Sequence, residues 1–267
     1  MNKTYQEIVD NLTIAIIGPY DEQSLSNIEN YKKICKNVLI FMWSDIQPEK
    51  VEQYRDKTRD DNSITLYTEK SPHLCDEIKN AMFHSYLTLL PQVKGIKIAA
   101  EKCQTEYMIR TRSDESFSDL SAMIEKFSKN TDTVVSSNVV WRMYFAERSK
   151  HMGDHTYITD TETIRSVYTD YYHSAFEGFR GTALTKDFYN CELGACEEFL
   201  FDYFVHYGKI PTPISVKDLG EWVISVEGTK YDNKTGLRPL AIQFRDLAWN
   251  PLTELEQHIK RDVENEK

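Results

Sequence analysis

The sequence lacks the glycine-rich signatures with which many nucleotide-binding folds approach phosphate. No GxGxxG follows the first apolar segment, and no GxxxxGK[ST] occurs anywhere in the 267 residues. Both loops need glycines because their backbone amides must come close to phosphate oxygens. Their absence excludes a classical dinucleotide-binding fold and a P-loop nucleotide hydrolase.

Paired cysteines, long apolar runs and excess positive charge are also missing. The five cysteines include no CxxC pair, which gives little support to a zinc site or to thioredoxin-like redox chemistry. No stretch approaches the ~20 apolar residues of a membrane span, and the amino terminus lacks the apolar core of a signal peptide. The formal net charge of -10 argues against non-specific nucleic-acid binding and a polybasic membrane anchor. We therefore expect a soluble cytoplasmic protein (in the host cytoplasm if the source is a virus) that binds no nucleic acid, and leave peripheral membrane association open.

Apolar runs alternate with helical segments along the first half of the chain. Continuous apolar runs closed by turn residues are typical of buried parallel strands, and apolar residues at helical spacing indicate helices between them. We expect strands at 12–18, 37–43, 63–68, 107–112 and 133–140. We expect helices at 22–36, from Pro48 onward, and at 75–103, the last kinked or divided by Pro91 and Gly95.

The second half is less regular. We expect residues 151–160 to form a loop leading into a helix that starts near Asp160, and a second helix to end at Gly208. Two short strands should follow, in "PTPISV" and "EWVISV". These patterns predict an α/β fold with a mainly parallel sheet flanked by helices. One domain over 1–267 is the simplest organisation, with a nucleotide-binding half at about 10–137, an acceptor and catalytic half at about 138–250, and a terminal helix at 251–267.

The fourth expected strand ends in charge, in "EYMIRTRSDES". Side chains alternate along a strand, so Arg110, Arg112 and, if the strand persists, Asp114 share one side. Ligands of open α/β sheets bind beyond the carboxyl ends of the strands. Two guanidinium groups suit a diphosphate, and the carboxylate suits a bridging divalent cation. The alternative is a salt-bridged strand end in which Arg112 pairs with Asp114 or Glu115.

The segment that leads into this strand end resembles the WavE family of lipopolysaccharide-synthesis proteins. The resemblance is carried by "NAMFHSYLTLLPQVKGIKIAAEKCQTEYMIRTRSD", with "IAIIGPY" and "IFMWSD" before it and "HMGDH" and "GACEEFL" after it, all in the family's order. It covers roughly residues 12–205. The family is similar to nucleotide-sugar glycosyltransferases of the GT-A type, which implies a GT-A-like Rossmann-type sheet.

The resemblance implies a nucleotide-diphosphate sugar as donor and a glycan or glycolipid as acceptor. Gly18, Asp45 and Asn80 are then expected at the donor site together with the two arginines. In GT-A enzymes an Asp-x-Asp binds Mg²⁺ or Mn²⁺, whereas this chain has Arg112-Ser113-Asp114. Either Asp114 holds the metal, with His206 or His173 completing the site, or the arginines replace the metal's charge.

Transfer to a hydroxyl also needs a base. Glu197 belongs to the apolar stripe of its expected helix, where desolvation raises the pKa of a carboxyl, and Glu198 is the second candidate. Asp154 and His155 could bind the acceptor or supply the base, or they could form a turn. We therefore expect a glycosyltransferase that builds a surface glycan of the lipopolysaccharide, capsule or O-antigen type. The alternatives are a sugar-1-phosphate nucleotidyltransferase and a non-catalytic nucleotide- or glycan-binding protein.

Overall fold

The computed structural model of the chain describes residues 2–18, 20, 22–45, 47–71, 84–137, 142–143, 150–152, 155–178, 195–226 and 229–231. Its β-strands are numbered here in chain order. They are β1 (Leu12–Ile17), β2 (Asn37–Trp43), β3 (Ile64–Glu69), β4 (Tyr107–Arg112), β5 (Glu115–Phe117), β6 (Thr133–Ser137), β7 (Arg142–Met143), β8 (Lys150–His151), β9 (Thr156–Asp160), β10 (Ile210–Ile214), β11 (Trp222–Val226) and β12 (Thr229–Tyr231).

Seven of these strands form one sheet in the order β10-β6-β9-β4-β1-β2-β3. All run in the same direction except β9, which lies antiparallel to both β4 and β6. The strands of one direction therefore end at a common edge, called here the carboxyl edge, and begin at the opposite, amino edge. Along the sheet the order runs 3-2-1-4, so the chain reverses its direction of winding between β1 and β4. Such a reversal opens a crevice at the carboxyl ends of the two strands.

Helices cover both faces of the sheet. They are α1 (Tyr5–Asp10), α2 (Glu22–Lys32), α3 (Pro48–Thr58), α4 (His84–Lys102), α5 (Ser121–Ser128), α6 (Thr161–Gly178) and α7 (Ala195–His206). Apolar side chains of α4, α6 and α7 pack on one face, and those of α1, α2, α3 and α5 pack on the other. The predicted fold class is confirmed: a mainly parallel sheet flanked by helices.

The helix α4 is continuous across Pro91 and Gly95, so it is not divided as the sequence had suggested. Gly95 serves a packing purpose instead. A Cβ atom at this position would lie 3.2 Å from the side chains of Ile17 and Phe41, which means that the absence of a side chain lets α4 approach β1 and β2. The glycine marks a close contact between helix and sheet rather than a break.

Five of the described strands were not predicted: β5, β7, β8, β9 and β12. The segment Thr156–Asp160, expected as a loop, forms β9 in the interior of the sheet, and Glu115–Phe117 forms β5. The strand β5 pairs with β11, which in turn pairs with β12, in a small antiparallel sheet next to the end of β4. The expected terminal helix at 251–267 lies outside the described residues.

Candidate functional site at the carboxyl edge

The turn between β4 and β5 lies in the crevice between β1 and β4. It consists of Ser113 and Asp114, and the amide of Ser113 donates a hydrogen bond to the carbonyl of Ile17 at 3.3 Å. Gly18, which follows β1, has a φ of +143°, and a Cβ there would lie 2.7 Å from the Ser113 hydroxyl oxygen. Any other residue at position 18 would be strained at this φ and would have to displace the Ser113 hydroxyl. Gly18 therefore lets the two chain segments meet at the crevice.

Arg112, the last residue of β4, forms a bidentate ion pair with the carboxylate of Asp114. The Nε–Oδ1 distance is 2.9 Å and the Nη2–Oδ2 distance is 2.7 Å. The same Nε lies 3.0 Å from Oε1 of Glu115. The Arg112 side chain is 32% exposed, so it lies at the rim of the crevice. Such a planar two-pronged contact is the arrangement with which arginine also binds phosphate oxygens.

Glu115 joins the charged groups of this edge. Its side chain is only 1% exposed, and its carboxylate contacts His155 Nδ1, Arg112 Nε and, at 3.1 Å, the indole N–H of Trp222. Burial raises the pKa of the Glu115 carboxyl, but the charge and hydrogen bond of His155 and the charge of Arg112 outweigh it and leave the pKa below its ordinary value. The carboxylate is thus held ionised. We call Arg112, Asp114, Glu115, His155 and Trp222 the carboxyl-edge cluster.

The inward face of α2 supports the turn from behind with polar groups. The buried hydroxyl of Ser24 donates to the carbonyl of Ser113 at 2.7 Å. The buried amide of Asn27 donates to the carbonyl of Glu115 at 2.9 Å and more distantly, at 3.4 Å, to that of Ser113. One turn further on, the Tyr31 hydroxyl accepts from the amide of Phe117 at 3.4 Å. These contacts fix the backbone that carries Arg112, Asp114 and Glu115.

Arg110 lies deeper than Arg112. It is 1% exposed in the centre of the sheet, opposite Tyr157 of β9, and its Nη1 donates to the carbonyl of His155 at 3.3 Å. The two arginines were predicted to share one side of β4 and to grip a diphosphate together. Arg110 is buried and Arg112 is 32% exposed, so Arg112 is the one that an incoming anion would reach from solvent.

The remaining predicted donor-site residues fall in different places. Asp45 follows β2 at the carboxyl edge and accepts hydrogen bonds from the hydroxyl of Ser71 at 2.7 Å and from its amide at 2.8 Å. These two bonds lower the pKa of the Asp45 carboxyl. Asn80 lies outside the described residues, and so does Asp154, which was expected at the acceptor site. Asp45 therefore connects the segments that follow β2 and β3.

The candidate bases Glu197 and Glu198 lie in the first turn of α7, and their side chains lie outside the described part of the chain. The end of this helix is three residues from β10, whose first residue pairs with Thr133 at the amino edge. The first turn of α7 is consequently the part of the helix farthest from the amino edge.

The same topology separates the expected metal ligands. His206 ends α7 at the amino edge, whereas Asp114 follows β4 at the carboxyl edge, a strand length or about 17 Å away. His173 is an exposed residue of α6. Both oxygens of Asp114 already accept from a cationic guanidinium, and no group of three or more histidine, cysteine, aspartate or glutamate side chains within the described ranges could hold a metal ion. Among the described residues, the donor set around Asp114 does not fit Mg²⁺ or Mn²⁺, because a divalent cation there would lie beside Arg112.

Sequence reasoning missed three residues of this edge. Glu115 appeared only as an alternative partner of Arg112, and its contact with His155 spans 40 positions of the sequence. Asn27 was missed because α2 reads as a polar, solvent-facing helix. Trp222 was part of the expected strand "EWVISV" and had no expected role in the site. The signal that could have identified Glu115 was its place directly after the charged strand end.

Among the described residues, no helix combines the length and the apolar character needed to cross a bilayer.

No protein-family model and no curated protein sequence matches the chain, so the resemblance to the WavE family depends on the residues quoted above.

Some solved structures do resemble this chain. One is the glycosyltransferase GlyE of Streptococcus pneumoniae TIGR4, with a TM-score of 0.46 and 11% identity over 96% of this chain and 64% of GlyE. The apo form of GlyE matches with the same TM-score and coverage at 10% identity. A third is a putative glucose-1-phosphate thymidylyltransferase of Bacillus anthracis in complex with sucrose, with a TM-score of 0.43 and 10% identity over 89% of this chain and 94% of that protein. The chain thus spans less than two thirds of the length of GlyE.

Proposed function

We propose that the chain is a glycosyltransferase that moves a sugar from a nucleotide-diphosphate sugar to a hydroxyl of a surface glycan. The observation that carries the proposal is the position of Arg112 and Asp114 at the reversal between β1 and β4. This is the place at which open α/β sheets bind their ligands, and Arg112 offers a partly exposed guanidinium suited to a diphosphate. The resemblance to the WavE family supports a lipopolysaccharide, capsule or O-antigen type of glycan, made in the cytoplasm.

In this proposal the residues of the carboxyl edge divide the reaction between them. Arg112 binds the diphosphate and stabilises the charge that develops as it leaves, and Asp45 contacts the ribose or base. His155 contacts the acceptor, and Glu197 removes the proton of the acceptor hydroxyl as its oxygen attacks the anomeric carbon. The bond between that carbon and the diphosphate then breaks. None of these steps uses a metal, because the described donor set around Asp114 does not fit one.

A sugar-1-phosphate nucleotidyltransferase is the second candidate. Such an enzyme needs a glycine-rich loop with a lysine after the first strand, and the segment "GPYDEQSLSN" after β1 has no lysine. Both activities occur among the names of the similar solved structures, so the choice between them depends on this chain's own residues. The third candidate, a non-catalytic binding protein, would carry the same Arg112 site without a working base.

A direct test is to incubate the purified protein with a panel of sugar nucleotides and to follow the release of nucleoside diphosphate. A glycosyltransferase hydrolyses its true donor slowly in water, a nucleotidyltransferase releases sugar phosphate only with pyrophosphate, and a binding protein leaves every donor intact. The matched controls are Arg112→Gln at the carboxyl edge and Lys209→Gln at the amino edge. Release that is lost in the first variant and kept in the second supports the proposal; no release from any donor contradicts it.

A further inference from the structure

The contact between Arg112 and Asp114 has the geometry of a bound ligand. Arg112 directs two parallel N–H groups at two carboxylate oxygens, at 2.9 and 2.7 Å. Adjacent oxygens of a diphosphate present the same pair of acceptors. The guanidinium that the proposed function assigns to the donor is therefore occupied by an anion of the protein itself.

The two carboxylates next to Arg112 differ in how firmly they are held. Glu115 lies in β5, is 1% exposed, and also accepts from His155 and Trp222, so moving it would leave buried donors unsatisfied. Asp114 lies in the turn before β5 and its side chain is 11% exposed. Within the described part of the chain, Arg112 is the only hydrogen-bonding partner of the Asp114 side chain. Asp114 can rotate towards solvent without breaking another contact, whereas Glu115 cannot.

We propose that Asp114 is a displaceable stand-in for the donor's diphosphate, which takes its place on Arg112 without a divalent cation on Asp114. The inference depends on the proposed function for the nature of the ligand. It follows from charge: a diphosphate near Arg112 would lie against the negative Asp114, so the two compete for one guanidinium. Glu115 stays in place during the exchange and keeps Arg112 oriented through its Nε. The Arg112–Asp114 pair then sets the affinity for anions rather than the stability of the fold.

The expected effect of replacing Asp114 is opposite to the effect of replacing a metal ligand. Removing the Asp114 charge should strengthen metal-free anion binding, because the competitor is lost. A partly exposed ion pair contributes little, so we expect Asp114→Asn to tighten binding by about two- to tenfold. If Asp114 instead bound a metal that bridges to the diphosphate, the same variant would weaken binding in the presence of that metal and change nothing in its absence.

The experiment is calorimetric titration of inorganic pyrophosphate, UDP and GDP in EDTA and again in Mn²⁺. The variants are Asp114→Asn, Arg112→Gln and the double variant, with Asp10→Asn as a control for the same change of charge at an exposed site of α1. We expect tighter binding in Asp114→Asn only, at least tenfold weaker binding in Arg112→Gln, and no further effect of Asp114→Asn in the double variant.

Unchanged or weaker binding of pyrophosphate and both nucleotides to Asp114→Asn in EDTA would overturn the exchange. So would a gain of affinity in Mn²⁺ that the parent shows and Asp114→Asn does not. Neither result bears on the proposed function, which is tested separately by the release of nucleoside diphosphate from sugar nucleotides. If that release occurs and the exchange fails, only the role of Asp114 is wrong.

Discussion

Both edges of the sheet carry an ion pair, but the two pairs have different roles. At the amino edge Lys209 contacts Asp160 at 2.6 Å, and Asp160 also accepts hydrogen bonds from the amide and hydroxyl of Thr163 at the start of α6. Each contact there joins two elements of the fold. At the carboxyl edge Arg112 and Asp114 are only two residues apart in the sequence.

Connectivity therefore distinguishes a structural ion pair from a candidate binding group better than charge does. The Lys209–Asp160 pair ties the loop before β10 to the end of β9, and its loss loosens the fold. The Arg112–Asp114 pair can open at little cost to the fold, while Glu115 and the inward face of α2 keep the surrounding backbone fixed. Variants at the carboxyl edge should change the affinity for nucleoside diphosphate, and matched variants at the amino edge should change the free energy of unfolding.

The largest effect is expected at the start of α7. Glu197→Gln keeps the shape of the side chain but cannot accept a proton, so transfer should fall by about 10²- to 10⁴-fold, the usual contribution of a general base. Donor affinity should stay the same because the carboxylate acts on the acceptor. The measurement is transfer rate and donor affinity on the same preparation.

Glu198→Gln is the matched control for Glu197, since it makes the same change one position further along α7. It should transfer sugar within a few-fold of the parent. Normal transfer by Glu197→Gln together with an inactive Glu198→Gln or Asp154→Asn would move the base to one of those residues.

The next effect concerns Arg112. Lysine keeps the charge but lacks the planar fork, so Arg112→Lys should weaken nucleoside diphosphate binding by roughly 1–3 kcal/mol without changing the free energy of unfolding. Lys209→Arg, the comparison at the amino edge, should leave binding unchanged. Titration calorimetry and denaturant unfolding measure the two quantities. Equal affinity of Arg112→Lys and the parent would make Arg112 a purely structural residue.

A smaller effect is expected behind the turn. Asn27→Ala removes the donor to the carbonyl of Glu115 and leaves that buried group without it, which should lower the free energy of unfolding by about 1–2 kcal/mol. Asn30→Ala, in the same helix, is the control and should stay within about 0.5 kcal/mol of the parent. Denaturant unfolding checks both. Equal losses in the two variants would mean that α2 does not hold the turn.

Apolar periodicity predicted the sheet well where strands are buried and uniform. The bounds of β2 agree with its apolar run, because a parallel strand covered on both faces consists mainly of apolar residues. The strand β9 was missed because it is rich in threonine. One of its buried hydroxyls has a partner inside the sheet, because Thr159 donates to the carbonyl of Thr133 at 3.0 Å.

The candidate site was predictable only in part, for a related reason. The charged residues of "RTRSD" could be recognised because they follow a predicted strand, and Gly18 and Asp45 were expected at the donor site from the resemblance to the WavE family. The contacts of Glu115 with His155 and of Asn27 with the turn depend on tertiary packing. A polar side chain that faces inward looks the same in the sequence as one that faces water.

The smallest expected effect is a pH-dependent change in the free energy of unfolding at the amino edge. Burial raises the pKa of Asp160, but hydrogen bonds from Lys209 and Thr163 outweigh it and lower that pKa below the ordinary 3.8. A carboxyl whose pKa is lower in the folded state stabilises the fold when the pH is above the pKa of the unfolded state. It loses that contribution as the pH falls through the pKa of the folded state.

Asp160→Asn keeps an acceptor for the amide of Thr163, since asparagine and aspartate serve equally well before a helix, but loses the charge that pairs with Lys209. We expect it to be less stable than the parent by up to about 1 kcal/mol at pH 7, with the difference vanishing as the pH falls below 3.8, and to bind nucleoside diphosphate normally. Unfolding curves from pH 7 to pH 3 test this, and a difference that persists in acid, or a loss of binding at pH 7, would remove the contrast between the two edges.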